Sequence, residues 1–235
     1  MSANTLNPAS QVIRGISSKA TQQLLAALCT AFEAQTGQAV HIESVGGVDA
    51  ARRVAAGEHF DVVLLASDAI DKLIEGGHLA AGSRVDYVQS PVAVAVHQSS
   101  PAPDIGSEAA LMAAVLAAPS ISYSTGPSGT YLKQLFERWG IAEQVAAKLV
   151  VPPPGTPVAA LIASGQVGLG FQQRSELLNV DGVQIVGDLP DAVAFITTFS
   201  AGVTDGHLPK VLGFLEFLNN LNTKPIKFLQ GMLTM

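Results

Sequence analysis

Basic clusters, cysteines and long apolar runs are scarce in this chain of 235 residues, and each scarcity excludes something. Lys and Arg number 13 against 19 Asp and Glu, a formal net charge of −6, and they form no block. A nucleic-acid partner is therefore not expected. Anion binding would have to rely on local dipoles and hydroxyls rather than on the overall field. Cys29 is the sole cysteine. It rules out an intrachain disulfide or a multi-cysteine metal site, and between Leu28 and Phe32 it reads as core. No run of roughly 18 apolar residues predicts a membrane span. The five histidines stand singly (His41, His59, His78, His97, His207), without metal-ligand spacing, so no metal site is expected. Gly168-Leu-Gly-Phe-Gln-Gln is not a dinucleotide fingerprint, and Walker-type and Gly-x-Ser-x-Gly loops are missing, so no cofactor is expected. Met-Ser-Ala-Asn-Thr-Leu-Asn-Pro at the start lacks the basic-then-apolar pattern of a signal peptide. The expected location is cytoplasmic as written, or periplasmic if a leader precedes Met1 natively.

What the sequence does contain is 48% hydrophobic residues, ample for a globular core. One stretch organises the rest, Ser122-Tyr-Ser-Thr-Gly-Pro-Ser-Gly-Thr-Tyr-Leu-Lys-Gln-Leu135. A short strand feeds a loop of small polar residues, which opens into a helix with Leu132, Leu135, Phe136 and Trp139 on one face. Ser128 is the expected N-cap, and a helix start attracts anions.

Along the chain, Val12–Ile16, Ala39–Val45 and Val62–Ala66 read as strands, each followed by polar or small residues and a helix. That alternation predicts a parallel sheet covered on both sides. The helix after the first strand carries Leu24, Leu25, Leu28 and Phe32 on one face and stops at Gly37. The second helix is expected over 50–56. Extended stretches at 85–96 and 193–199 predict two crossings between lobes, near residues 88–91 and 190–194. The expected division is 1–89 with 194–235 for one lobe and 90–193 for the other. A short strand is expected at 149–151, a stiff Pro152–Pro157 connector after it, and a strand over Val167–Phe171. In open α/β sheets ligands sit beyond the carboxyl ends of strands. The loops 17–21, 46–49, 124–131 and 172–174 are thus expected to face one cleft.

The serines after the first strand, the run Glu43-Ser-Val-Gly-Gly-Val-Asp-Ala-Ala-Arg-Arg-Val-Ala-Ala-Gly-Glu-His-Phe-Asp-Val-Val63 and the turn Pro127-Ser-Gly-Thr-Tyr131 resemble periplasmic molybdate-binding proteins. The layout is similar over nearly the whole chain. The resemblance implies an α/β, two-lobed type 2 periplasmic-binding-protein fold with two crossover strands, closing on a small anionic ligand. It implies an ABC transporter membrane component as partner if the chain is exported. Such proteins hold an oxyanion through serine hydroxyls, backbone N–H groups and a tyrosine. By position, Ser17 or Ser18 would be the first serine and Ser128 the loop serine. Gly46 and Gly47 replace a serine-rich loop, Pro157 falls where a backbone N–H is offered, and Phe171 falls where the tyrosine stands. These departures favour a small organic polycarboxylate over a tetrahedral oxyanion, since carboxylates pair well with N–H pairs and guanidinium groups. The alternative implied is an isomerase of an unsaturated tricarboxylate, of the aconitate isomerase type, acting by proton transfer.

The candidate ligand-binding residues are accordingly Ser17, Ser18, Lys19, Gly46, Gly47, Ser128, Gly129, Thr130, Tyr131, Gln172 and Gln173. Arg52, Arg53 and Arg174 are further cations near these loops. An isomerase needs a base, and the candidates are Lys19, Glu43, Asp49 and Tyr131.

Overall fold

The structure, a computed structural model, describes residues 12–153 and 155–235. The amino-terminal segment read above for a leader and Pro154 of the connector lie outside the described residues. The chain forms two compact units, one from residues up to Gln89 with Thr198–Met235, the other from Ser90–Thr197.

The first unit opens β1 (Ile13–Ser18), α1 (Gln22–Thr36), β2 (Val40–Val45), α2 (Gly47–Ala55), β3 (Val62–Ala66), α3 (Ser67–Glu75). The strand β4 (Val85–His97) carries the chain into the second unit. There follow α4 (Glu108–Ala117), β5 (Ile121–Tyr123), α5 (Pro127–Arg138), α6 (Ala142–Ala146), α7 (Val158–Ala163), β6 (Leu169–Gln173), α8 (Arg174–Leu177) and β7 (Val183–Asp188). The strand β8 (Ile196–Val203) returns, and α9 (Leu208–Leu218) and α10 (Lys224–Leu229) close the chain.

The parallel arrangement expected from the sequence holds for β1 with β2 and β3, and for β5 with β6. The two crossing strands, whose direction that pattern left open, run the other way: β8 is antiparallel to β3, and β4 is antiparallel to β6 and β7. The reason is connection. Parallel neighbours need a crossover, supplied here by helices, whereas β4 and β8 enter from the other unit and are free of that constraint. The expected strand at 149–151 reduces to one bridge, Leu149 with Ile121.

Each sheet is packed on both faces. In the first unit Leu24, Leu25, Leu28 and Phe32 of α1 meet Ile13, Val62 and Leu64, with the Phe32 ring edge-on to Phe214 at 5.3 Å. The opposite face sets Ile16, Val63 and Leu65 against Ala50, Val54, Ile70 and Leu73. In the second, alternation divides the strands: Val92, Val94, Leu169 and Phe171 face the α5 core, and Ala93 and Ala95 face α7. Cys29 packs half-buried against the first core, and burial pushes its thiol up to about 12, so it stays an inert thiol.

Lys148 closes the end of α4. Its ammonium donates to Val115 O, Leu116 O and Ala118 O at 2.8, 2.7 and 2.9 Å, satisfying carbonyls that have no helical partner. Lys148→Met is expected to cost about 2 kcal/mol. Urea denaturation checks this, and an unmoved midpoint would refute the capping role.

Candidate functional site

In the first unit the carboxyl ends of β1 and β2 emerge side by side, Ser17 opposite Ser44 and Ser18 opposite Val45. The two serines expected after the strand are its last two residues, and both are buried. Ser17 Oγ shares a 2.7 Å hydrogen bond with Ser44 Oγ. Ser18 Oγ is buried without a partner. Beside it α2 begins, three residues earlier than its sequence pattern predicts, with Gly46 as N-cap and no side chain capping the first turn. A Cβ placed on Gly47 would lie 3.5 Å from Ser18 Cβ, so the start of the helix sits directly against this serine. The first amides of a helix have no intrahelical acceptor. The result is a helix start without a side-chain cap, its first turn carrying the carboxylate of Asp49, adjoining an unpartnered buried hydroxyl. Lys19 is half-buried in the 3-10 turn Lys19–Thr21 that follows.

The other candidates of this unit are engaged. Arg53 holds Glu43 through two contacts of 2.6 and 2.9 Å and also binds Glu58. The arginine hydrogen bonds keep both carboxyls below the usual range. Asp49 pairs with Arg52 at 3.3 Å on the exposed side of α2. A cavity of about 590 Å³ lies on the flank between α1 and β2, lined by Leu25, Cys29, Ile42 and Ser44 among others, and the Ser18–Gly47 corner is not part of its lining.

In the second unit β5 and β6 run parallel with Tyr123 opposite Phe171, so the turn after Tyr123 and the end of β6 emerge together. The N-cap of α5 is Gly126, not Ser128. Pro127 takes the first helical position, where its missing N–H costs nothing. Ser128 is buried inside the first turn, its Oγ 2.7 Å from Ser124 Oγ. The Gly129 and Thr130 amides bond Gly126 O. A pocket of about 250 Å³ borders this turn, lined by Tyr123, Ser124, Gly129, Thr130 and Lys133. Tyr131 points elsewhere: its hydroxyl donates to Val193 O at 2.9 Å, its ring stacks on Phe195, and burial raises its phenol above the ordinary range.

The glutamines belong to β6 itself and are buried. Gln172 Oε1 accepts from Ala159 N at 3.0 Å and its Nε2 donates to Glu176, so the first turn of α7 after Pro157 is capped from within. Phe171, placed by resemblance at a ligand-facing tyrosine, lies in the core edge-on to Phe136. The residue at the strand end is Gln173. Its Nε2 donates to Thr197 Oγ1 at 2.6 Å, and its Oε1 is buried with no partner. Arg174 is tied to Asp188 at 2.8 Å.

Residues 13–232 match the family of bacterial extracellular solute-binding proteins. The chain belongs to that family. A relative 40% identical over 179 residues, 74% of this chain and 68% of its own length, is the aconitate isomerase of a Pseudomonas species. The periplasmic molybdate-binding protein of Azotobacter vinelandii superposes with a TM-score of 0.78 at 20% identity, covering 95% of this chain and 99% of its own. PEB3 of Campylobacter jejuni with bound L-phospholactate gives 0.74 at 14% identity, over 95% and 100%. The fold is that of periplasmic binding proteins.

Sequence reading of this solute-binding protein missed four residues around the site. Ser44 carried a usable signal, since it alternates with Val40 and Ile42 along β2. Glu176 stands four residues after Gln172, a helical spacing, but only the unexpected α8 gives it meaning. Thr197 and Lys133 had none: one is a polar residue in a return strand, the other a lysine on a helix.

Proposed function

We propose that this solute-binding protein binds a small organic polycarboxylate of the aconitate class through its strand-end turns. The observation that carries this is Ser18, whose buried hydroxyl has no protein partner and adjoins the uncapped start of α2. A hydroxyl left so costs about 1–3 kcal/mol unless a ligand completes it. Carboxylates are favoured over a tetrahedral oxyanion for two reasons. The relative at 40% identity is an aconitate isomerase, and the α7 amide at Ala159 is spent on Gln172 Oε1.

A thermal-shift and calorimetric series with trans-aconitate, cis-aconitate, citrate, molybdate and tungstate tests the reading. Binding to the folded state alone raises the melting temperature. Tricarboxylates are expected to raise it and molybdate to leave it unmoved; the reverse order would sink the proposal. Ser18→Ala is expected to weaken trans-aconitate binding about 10-fold while leaving the empty protein equally stable or about 1 kcal/mol more so.

The same relative favours a second reading, catalysis. Isomerisation would remove a proton from the methylene carbon of trans-aconitate, shift the double bond and return a proton at the former vinyl carbon. Lys19 shares the turn of Ser18, and we place the base there. Lys19→Met should abolish formation of cis-aconitate, followed by NMR, with calorimetric binding retained. Full turnover in this variant would remove Lys19 from the role.

A further inference from the structure

In the first unit the sheet ends at β2. Among the described residues β2 pairs with β1 alone, in an unbroken register from Val40 to Val45. Ile13 N donates to Ala39 O at 2.9 Å, so Ala39 and, by alternation, His41 and Glu43 turn their backbone groups toward β1. The N–H and C=O groups of Val40, Ile42 and Ser44 therefore point out of the sheet along an open edge. Such an edge is a template for another strand, and proteins that keep it single use proline, lysine or a bulge. β2 has none of these. Its carboxylate, Glu43, is matched by Arg53 on the α2 side.

A groove accompanies the edge. The cavity of about 590 Å³ takes Leu25, Cys29 and Ile42 from the α1 face of β2 and His41 and Phe60 from the other, so it follows both faces of the strand. Ala26 and Thr30 of α1 add only short side chains to its wall, which leaves room under the helix for the side chains of an added strand.

The residues of β2 suit a second β2. Antiparallel pairing with another copy, centred on Ile42, sets Val40 opposite Ser44, Ile42 opposite Ile42 and His41 opposite Glu43. Val40, Ile42 and Ser44 carry the outward backbone groups, so each of those pairs exchanges both of its backbone bonds. Ile42 of each copy enters the groove of the other, against Leu25. On the opposite face each imidazole meets a carboxylate, and an imidazole has an N–H to donate in either charge state. The neighbouring registers are worse. Centred on Glu43 they oppose two carboxylates, and centred on His41 two imidazoles.

We propose that this protein forms a two-fold dimer by antiparallel pairing of its β2 edges about Ile42, with His41 of each copy against Glu43 of the other. The pairing needs no ligand and does not rest on the polycarboxylate reading.

Sedimentation velocity on the full chain, over a dilution series without ligand, tests it. A dimer is expected. Ile42→Pro removes the central outward N–H, which β1 does not use, and is expected to weaken dimerisation about 100-fold. His41 is exposed. His41→Glu, which opposes like charges, is expected to weaken the dimer about 10-fold, and His41→Lys to keep it within about 2-fold of the parent or tighten it. If Ile42→Pro fails to fold, the His41 variants still decide, because a register centred on His41 would suffer from lysine as much as from glutamate and a dimer built elsewhere would notice neither. A parent that stays monomeric throughout, a dimer unmoved by Ile42→Pro, or equal effects of His41→Glu and His41→Lys overturns the proposal.

Discussion

Gly129→Ala is expected to destabilise the protein by roughly 3 kcal/mol, at the upper end of the cost of overpacking. The cause is space, not backbone conformation. A Cβ on Gly129 would stand 1.6 Å from Ser124 O and 2.8 Å from Ser124 C, both backbone atoms. No rotamer change relieves that contact, so either the turn after β5 or the first turn of α5 has to move. Neither moves cheaply, because Gly126 O accepts from the Gly129 and Thr130 amides and Ser124 and Ser128 are joined through their hydroxyls. The same displacement would dismantle the polar turn beside Gln173, so tricarboxylate binding should fall with stability. Gly126→Ala is the internal control: nothing lies within 4 Å of its Cβ position, and the change is expected to stay within about 0.5 kcal/mol. Differential scanning calorimetry should place Gly129→Ala roughly 6–12 °C below the parent. A melting point within 2 °C or so of Gly126→Ala would show that the close approach does not constrain this turn.

That glycine illustrates what the sequence made legible. The small polar turn and the helix after it followed from Gly126, Pro127 and Gly129 and from the spacing of Leu132, Leu135 and Phe136, because turn chemistry and helical periodicity are local. The identity of the cap did not follow. Ser128 has the preferred side chain, but the backbone enters the helix at Gly126, and the serine is used inside the turn against Ser124. Likewise α2 starts at Gly47 where glycine propensity argues for a later start, because Ala50 and Val54 are drawn into the core beneath it. Polarity misled at β6: two glutamines read as the loop after a strand, yet both are buried, since Ala159, Glu176 and Thr197 meet their amides. Those partners come from distant parts of the chain, and no local pattern announces them. The cations show the same limit. Arg53 and Arg174 sit near the candidate loops in sequence, but Glu43, Glu58 and Asp188 take them up. Serine hydroxyls, amides, helix starts and Lys19 are what those turns retain.

The stability difference between the parent and Lys227→Met is expected to change by about 3 kcal/mol between pH 8 and pH 10.5, in favour of the parent as pH rises. Lys227 is 3% exposed on α10, and its ammonium donates to Tyr87 O at 2.6 Å. Burial, with a smaller push from Lys224, lowers its pKa from 10.5 to about 8. Below pH 8 folded and unfolded chains both carry the proton, and the folded state bears the full cost of a desolvated charge. Between 8 and 10.5 the unfolded chain binds more protons than the folded one, so stability rises with pH; above that window it levels off. The parent alone would not reveal this. Cys29, pushed up from 9.0 to about 12, and Tyr87, also raised by burial, hold their protons longer when folded and so lower stability as pH climbs past their ordinary values. Subtracting Lys227→Met cancels both contributions, because both proteins share them. Methionine matches the lysine stem in volume but leaves Tyr87 O without a donor, which offsets part of the gain at neutral pH without altering the slope. Urea titrations of both proteins at half-unit intervals check the prediction, and a difference that stays flat across the window would mean that Lys227 keeps an ordinary pKa and that the carbonyl of Tyr87 is solvation enough.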